Sequence, residues 1–232
     1  MFEKVLSGFL FLCLLAACPV SAEEISAKAT EANTVSSPGL EEILRRVEER
    51  YGVDSFSASF SQISTIQALD ITDHASGRVF VKRPGMMRWE YLSPEPQVII
   101  SDGSQLWIYR PEDKQVLVGR APSFFGDGKG ASFLSDIGKM REGFTITLEP
   151  APDQDDHLLK LIPKESSPDI EEIYLTVSWA TFRIEEIVTV NPYGDRTRIS
   201  LFDQRFDRSL GDDLFRFDVP EDVEVLQLEG NP

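Results

Sequence analysis

The sequence predicts a mainly β protein, an antiparallel sandwich or barrel of about eleven short strands with short helices laid against it. Three observations predict it. Apolar and polar residues alternate over many short stretches, the period of a half-buried strand. Turn residues separate those stretches, with Asp102-Gly103 between two apolar runs as a strong hairpin signal. Long helical patterns do not intervene between them, so strand follows strand rather than building βαβ units.

The first 22 residues stand apart. Lys4 and the amino terminus make a weak positive start, diluted by Glu3, and Val5 to Ala17 is almost wholly apolar. That run is shorter than the roughly 20 residues a spanning helix needs, and it suits the apolar region of a signal peptide. Val20-Ser21-Ala22 offers a small-residue cleavage site before Glu23. Residues 1–22 therefore read as a signal peptide, and 23–37, rich in Ala, Glu, Ser and Thr, as a flexible lead-in. Leu15-Ala16-Ala17-Cys18 also fits a lipobox, in which Cys18 is acylated and becomes the new terminus. The placement of Val20-Ser21-Ala22 favours the soluble form. Cleavage after Ala22 removes both cysteines, Cys13 and Cys18, and with them any disulfide, thiolate nucleophile or cysteine metal site.

Residues 38–228 read as one domain. Ser37-Pro38 suits a helix start, with Ser as N-cap and Pro in the first turn. Leu40, Ile43, Leu44 and Val47 recur at helical spacing, while Glu and Arg fill the other face and Gly52 ends the helix. The period then changes to two. Phe56, Ala58 and Phe60 alternate with Ser55, Ser57, Ser59 and Ser61, a strand with one wet face. Further strand-like runs are 77–82, 86–92, 97–101, 105–110, 115–119, 143–149, 157–162, 171–178, 182–190, 196–202 and 214–218. Pro84-Gly85, Pro111-Glu112-Asp113 and Asn191-Pro192-Tyr193-Gly194 read as turns.

Residues 120–142 interrupt the strands. Gly126, Gly128 and Gly130 precede Phe133, Leu134, Ile137 and Met140, four apolar residues at helical spacing. A short apolar helix on a Gly-rich hinge is either a plug for one end of a barrel or a movable lid. The runs Val98-Ile99-Ile100 and Leu106-Trp107-Ile108-Tyr109 are apolar on both faces. One face must then be covered by helices or a lid, and the other filled by side chains or a ligand.

Charge and motifs exclude several functions. The 232 residues carry a formal net charge of -16, with 41% hydrophobic and 27% charged residues. This balance is globular. Its acidity opposes nucleic acid and anionic lipid heads, which need clustered Lys and Arg. The two histidines, His74 and His157, sit in polar or acidic surroundings and read as solvated loop residues. There is no G-x-S-x-G, H-E-x-x-H or C-x-x-C, so neither a catalytic triad nor a metal site is indicated. Gly126-Asp127-Gly128-Lys129-Gly130 lacks Walker spacing, and Asp153–Asp156 lacks the Gly and closing Glu of a calcium loop. No enzyme chemistry, metal or cofactor is expected. What remains is a basic, aromatic stretch, Val81-Lys82-Arg83-Pro84-Gly85-Met86-Met87-Arg88-Trp89-Glu90-Tyr91. Its arginines are either rim charges, worth a few tenths of a kcal/mol, or latches whose donors satisfy carbonyls on a neighbouring loop.

At this stretch the chain resembles the outer-membrane lipoprotein carrier family, LolA. The matches run in order from the helix 40–50 and Phe56–Gln62 through Gly77–Gly85, Arg88-Trp89, Ile100–Gly103 and Leu106–Tyr109 to Phe215-Arg216-Phe217-Asp218-Val219-Pro220. The resemblance implies an incomplete antiparallel β-barrel closed by short helices, 40–50 and about 131–140, that form a lid over an apolar cavity. It implies that Arg83 latches the closed lid by hydrogen bonds to its backbone. Cavity candidates on the strands are Phe56, Phe60, Val79, Val81, Trp89 and Tyr91, followed by Ile100, Trp107 and Tyr109. On the lid they are Phe133, Leu134 and Ile137. The implied function is a monomeric periplasmic carrier of acylated lipoproteins, loaded by an inner-membrane ABC transporter and unloaded by an outer-membrane acceptor. A membrane-anchored acceptor or a lipid-sensing module on the same fold is the alternative.

Overall fold

In the computed structural model, which describes residues 38–121, 134, 137–153, 155–206 and 209–228, the first element is α1 (Leu40–Tyr51). Its apolar stripe of Ile43, Leu44, Val47 and Tyr51 is buried. Glu42 bridges Arg45 and Arg46 on the wet face. Gly39, rather than Ser37, caps the helix, and its carbonyl accepts from the Glu42 and Ile43 amides. Gly52 ends it without turning left-handed; a Cβ there would lie 2.9 Å from the Glu48 carbonyl oxygen. The described residues all belong to one of two units into which the chain divides, that running from Pro38.

Twelve strands follow among the described residues. They are β1 (Ser55–Ile66), β2 (Ile71–Lys82), β3 (Met86–Ser93), β4 (Gln97–Asp102), β5 (Gln105–Arg110) and β6 (Gln115–Arg120), then β7 (Phe144–Glu149), β8 (Asp156–Pro163), β9 (Glu172–Ser178), β10 (Ile184–Val190), β11 (Arg196–Phe206) and β12 (Glu224–Gln227). A five-residue helix, α2 (Lys139–Gly143), precedes β7. The strands form one sheet in the order β12-β6-β5-β4-β3-β2-β1-β11-β10-β9-β8-β7. Two antiparallel meanders are thus joined where β1 meets β11. The outer strands β12 and β7 do not meet, so the barrel is incomplete.

Hairpin chemistry matches the sequence. Gly85, Gly103 and Gly194 take positive φ at the turns that were read there. The Asp102 carboxylate accepts from the Ser104 and Gln105 amides at 2.8 and 2.7 Å. Three assignments differ. β1 and β2 each extend to twelve residues, beyond the apolar runs 56–61 and 77–82, because Gln62–Ile66 and Ile71–Ser76 pair through backbone although mostly solvated. Residues 212–215 form a 3-10 turn rather than a strand over 214–218. The last strand is β12, in the acidic tail, pairing parallel to β6. The glycine-rich segment 126–130 lies outside the described residues.

Candidate functional site

Register decides which residues share a face. Phe56 faces Val81, Ala58 faces Val79 and Phe60 faces Gly77 across β1 and β2. Val79 in turn faces Trp89, Val81 faces Met87 and Gly77 faces Tyr91 across β2 and β3. All these side chains therefore stand on one face of the sheet. From the other meander Leu159, Leu161, Ile173, Leu175, Val177, Ile184, Ile187, Ile199 and Leu201 join the same buried cluster.

The Phe60 ring is its centre. It meets the Trp89 ring edge-on at 4.9 Å and the Tyr91 ring at 5.1 Å. Space for it exists because position 77 has no side chain: a Cβ there would meet the Phe60 ring at 2.9 Å and the Glu90 carbonyl oxygen at 1.9 Å. The Tyr91 hydroxyl donates to Gln62 Oε1 at 3.0 Å, and burial raises its pKa to about 12, so it stays neutral. The Trp89 indole N–H is buried with no partner among the described residues, a donor left unspent in an apolar surround.

Two covers fill this face. The stripe of α1 is one. Leu134, Ile137 and Met140 are the other, at 1%, 0% and 0% exposure. The space under the covers is thus occupied by their own side chains. Arg141 of α2 ties the covers together. Its Nη1 lies 2.7 Å from Glu41 Oε2, and its Nε donates to Glu48, both on α1. The sequence pattern placed Leu134, Ile137 and Met140 but not this ion pair, since charge spacing along the chain says nothing about contact between separate segments. Residues 131–133, 135 and 136, Phe133 among them, lie outside the described residues.

Ile100, Trp107 and Tyr109 stand on the opposite face. Arg88 faces Ile100, and Ile100 faces Trp107. Arg88 Nη1 donates to the Leu214 carbonyl at 3.3 Å, so this face looks toward the C-terminal segment. Phe215 is fully buried, and the Phe217 and Tyr109 rings are 5.2 Å apart. These three residues form a second apolar layer rather than part of the first. Both faces of β4 and β5 are apolar because Leu106 and Ile108 pack with Ile99, Leu117, Ala121 and Leu228 on one, and the C-terminal segment lies on the other.

On either side of Arg83 the basic stretch holds the C-terminal segment. Lys82 Nζ binds the Leu210 carbonyl at 2.7 Å and Asp212 at 2.5 Å, so Lys82 and Arg88 hold the C-terminal segment. Arg83 is half-buried, and its amide donates to the Asp54 carbonyl at 2.8 Å. Its guanidinium has no partner among the described residues. His157 is buried rather than solvated, with its ring 4.7 Å from Trp179, because its position on β8 points inward. Burial lowers its pKa, partly offset by Asp156.

The profile of the outer membrane lipoprotein carrier protein family, LolA, matches residues 51–218. The chain belongs to the LolA family. The outer-membrane lipoprotein carrier protein of Pseudomonas aeruginosa is 29% identical over 173 residues, spanning 75% of this chain and 81% of that one. The protein of the same description from Azotobacter vinelandii is 28% identical over 208 residues, 90% of this chain and 96% of its own. A crystal structure of an uncharacterized conserved protein from Thermus thermophilus has the same fold, with a TM-score of 0.53 at 16% identity over 81% of this chain and 98% of that one. The LolA match spans α1's last residue through β11 and the buried Phe215, and so both apolar layers. No helix among the described residues is long and apolar enough to cross a membrane.

Proposed function

We propose that the protein carries lipoproteins by holding their acyl chains against the inner face built on Phe56, Phe60, Val79, Val81, Trp89 and Tyr91. One observation carries this reading: that face is apolar throughout, yet two short segments close it, joined to each other at their edge by Arg141. Each CH2 buried is worth about 0.8 kcal/mol. An acylated protein therefore needs an escort across water, and the escort must also let go. Covers that fill the site when empty compete with the cargo, which lowers its apparent affinity. The chemistry needs no catalytic group, nucleotide or metal.

In this reading residues 1–22 direct export and are removed, and the carrier works in the periplasm as a monomer. An inner-membrane ABC transporter loads it and an outer-membrane acceptor receives the cargo. Arg83 contributes the latch, its guanidinium satisfying lid carbonyls. A second reading, an anchored acceptor, is favoured by Leu15-Ala16-Ala17-Cys18. Intact mass of the exported protein separates them: a chain starting at unmodified Glu23 excludes the anchor.

Hydrogen exchange with a synthetic triacylated lipopeptide tests the carrier reading. Loading should deprotect α1 and α2 amides together, because both covers must leave the inner face. Tight lipopeptide binding with both covers still protected contradicts it.

A further inference from the structure

A second pocket lies where the C-terminal half of α1, the β9–β10 connection and the end of β11 meet. It has a volume of about 380 Å³ and is lined by Arg46, Arg50, Thr181, Phe182 and Phe206, with Glu49 at its wall. Phe182 and Phe206 pack against the edge of the buried core, while Arg46, Arg50 and Thr181 lie outside it.

Its chemistry is cationic in a chain of net charge -16. The Arg46 guanidinium carbon lies 5.1 Å from the Phe182 ring centre. Those of Arg50 and Arg183 lie 5.4 and 5.3 Å from the Phe206 ring centre. A guanidinium stacked on a ring keeps its edge N–H groups available for an oxyanion. Those edges are largely unspent. Arg46 uses Nε on Glu42 and Arg50 uses Nε on the Thr181 carbonyl, and the terminal nitrogens of both have no partner among the described residues. Arg183 Nε and the Thr181 hydroxyl are buried with no partner at all among the described residues. Buried donors normally find acceptors, so the Thr181 hydroxyl in the pocket lining marks a missing one. Glu49 at the wall has one carboxylate oxygen engaged by Arg45.

The backbone adds an independent sign. Phe182 has φ +54, a left-handed conformation uncommon for a bulky residue, kept in place by a 2.9 Å bond from its amide to the Ser178 carbonyl. Strain of this kind concentrates at binding sites. Here it sets the ring that supports Arg46.

We infer that this pocket binds a phosphate monoester, its oxygens held by Arg46, Arg50 and the Thr181 hydroxyl, with the Arg183 guanidinium on the Phe206 ring adding positive charge and the organic part lying on Phe182 and Phe206. Charge selects this ligand over a carboxylate. Three guanidinia less the Glu42 partner leave about two positive charges, and a phosphate monoester carries about -1.5 to -2 near neutral pH. The same chemistry occurs in a free metabolite and in a lipid headgroup.

Isothermal titration of the full protein with glycerol 3-phosphate tests the site. Saturable binding with Kd below about 1 mM is expected, competed by inorganic phosphate and weakened by salt. Arg50→Gln should weaken it about tenfold or more, and the near-isosteric Thr181→Val by several-fold, with unchanged circular dichroism. Phosphatidylcholine vesicles with and without phosphatidic acid separate the sources. Co-sedimentation that requires phosphatidic acid and Arg50 assigns a lipid headgroup, and binding of glycerol 3-phosphate alone assigns a free ester. Binding of neither probe, or binding indifferent to both substitutions, overturns the site. Lipopeptide loading is measured on Thr181→Val, which leaves the α1 cover intact, and should not change, so failure here leaves the carrier reading standing.

Discussion

Arg141 on α2 and Glu41 on α1 stand 100 residues apart in the chain and 2.7 Å apart in space. With Glu48 as a second partner, one guanidinium joins the two covers to each other. The Glu41 and Glu48 bonds raise the Arg141 pKa further, so its guanidinium stays charged at any physiological pH. Exposed pairs are worth about 0.2–1 kcal/mol each. That is weak enough to open and strong enough to bias closure.

Removing that guanidinium should loosen the covers without unfolding the sheet. Arg141→Gln is expected to lose about 1 kcal/mol of cover stability, seen as roughly fivefold faster exchange of α1 and α2 amides. Raised salt should narrow the difference between the two proteins. Equal exchange in both proteins at low salt shows that the ion pair does not hold the covers.

Arg83 is expected to act on hand-off rather than on folding. Arg83→Leu should raise the fraction of carrier purified with lipoprotein bound and slow its transfer to acceptor membranes, with thermal stability nearly unchanged. Transfer at the rate of the parent protein removes Arg83 from the latch.

The aromatic centre of the inner face should be the costliest place to cut. Phe60→Ala removes a fully buried ring wedged between Trp89 and Tyr91, a loss of about 3–5 kcal/mol. Gly77→Ala should also destabilise strongly, because its Cβ meets a backbone oxygen that cannot swing away. Urea unfolding midpoints measure both, and a shift of under about 1 kcal/mol for Phe60→Ala contradicts the packing.

His157 sets an acid limit on stability. Its ring is buried between Trp179 and Phe182, with Nε2 unpartnered among the described residues, and its pKa falls below the ordinary 6.5. The unfolded chain then binds more protons than the folded one between the two values. Stability is full above about pH 6.5 and is lost as pH falls through the folded-state pKa. Asp156, whose pKa is raised chiefly by burial and then by Asp153 and Asp155, acts in the opposite direction in its own titration range above 3.8. His157→Gln should flatten the slope just below pH 6.5 in melting temperatures taken along a pH series. A slope unchanged by the substitution assigns it to other groups.

Much of this architecture was legible from local pattern. The amphipathic stripe of α1, the alternation of Phe56, Ala58 and Phe60, and Asp102-Gly103 each encode their own structure within a few residues. β1 and β2 were read too short because their outer halves are solvated, where pairing leaves no hydrophobic signature. β12 was missed because a four-residue acidic edge strand exists only through its partner β6. The site was half legible. Residues of one meander could be grouped by apolarity, but the face each side chain takes depends on register. Register put Trp89 with Phe60, and Ile100, Trp107 and Tyr109 under the C-terminal segment. Ion pairs between distant segments, such as Lys82 with Asp212 and Arg141 with Glu48, leave no local trace.

A lipoprotein carrier must take acylated lipoproteins out of a membrane. Adding the purified protein to spheroplasts of a Gram-negative host that contain a matched exporter tests it most directly, with acylated lipoprotein measured in the soluble fraction. The account predicts soluble complexes in amounts that follow the added protein, with lipoprotein co-purifying on it. Lipoprotein that stays wholly in the spheroplast membrane at every concentration of added protein contradicts it.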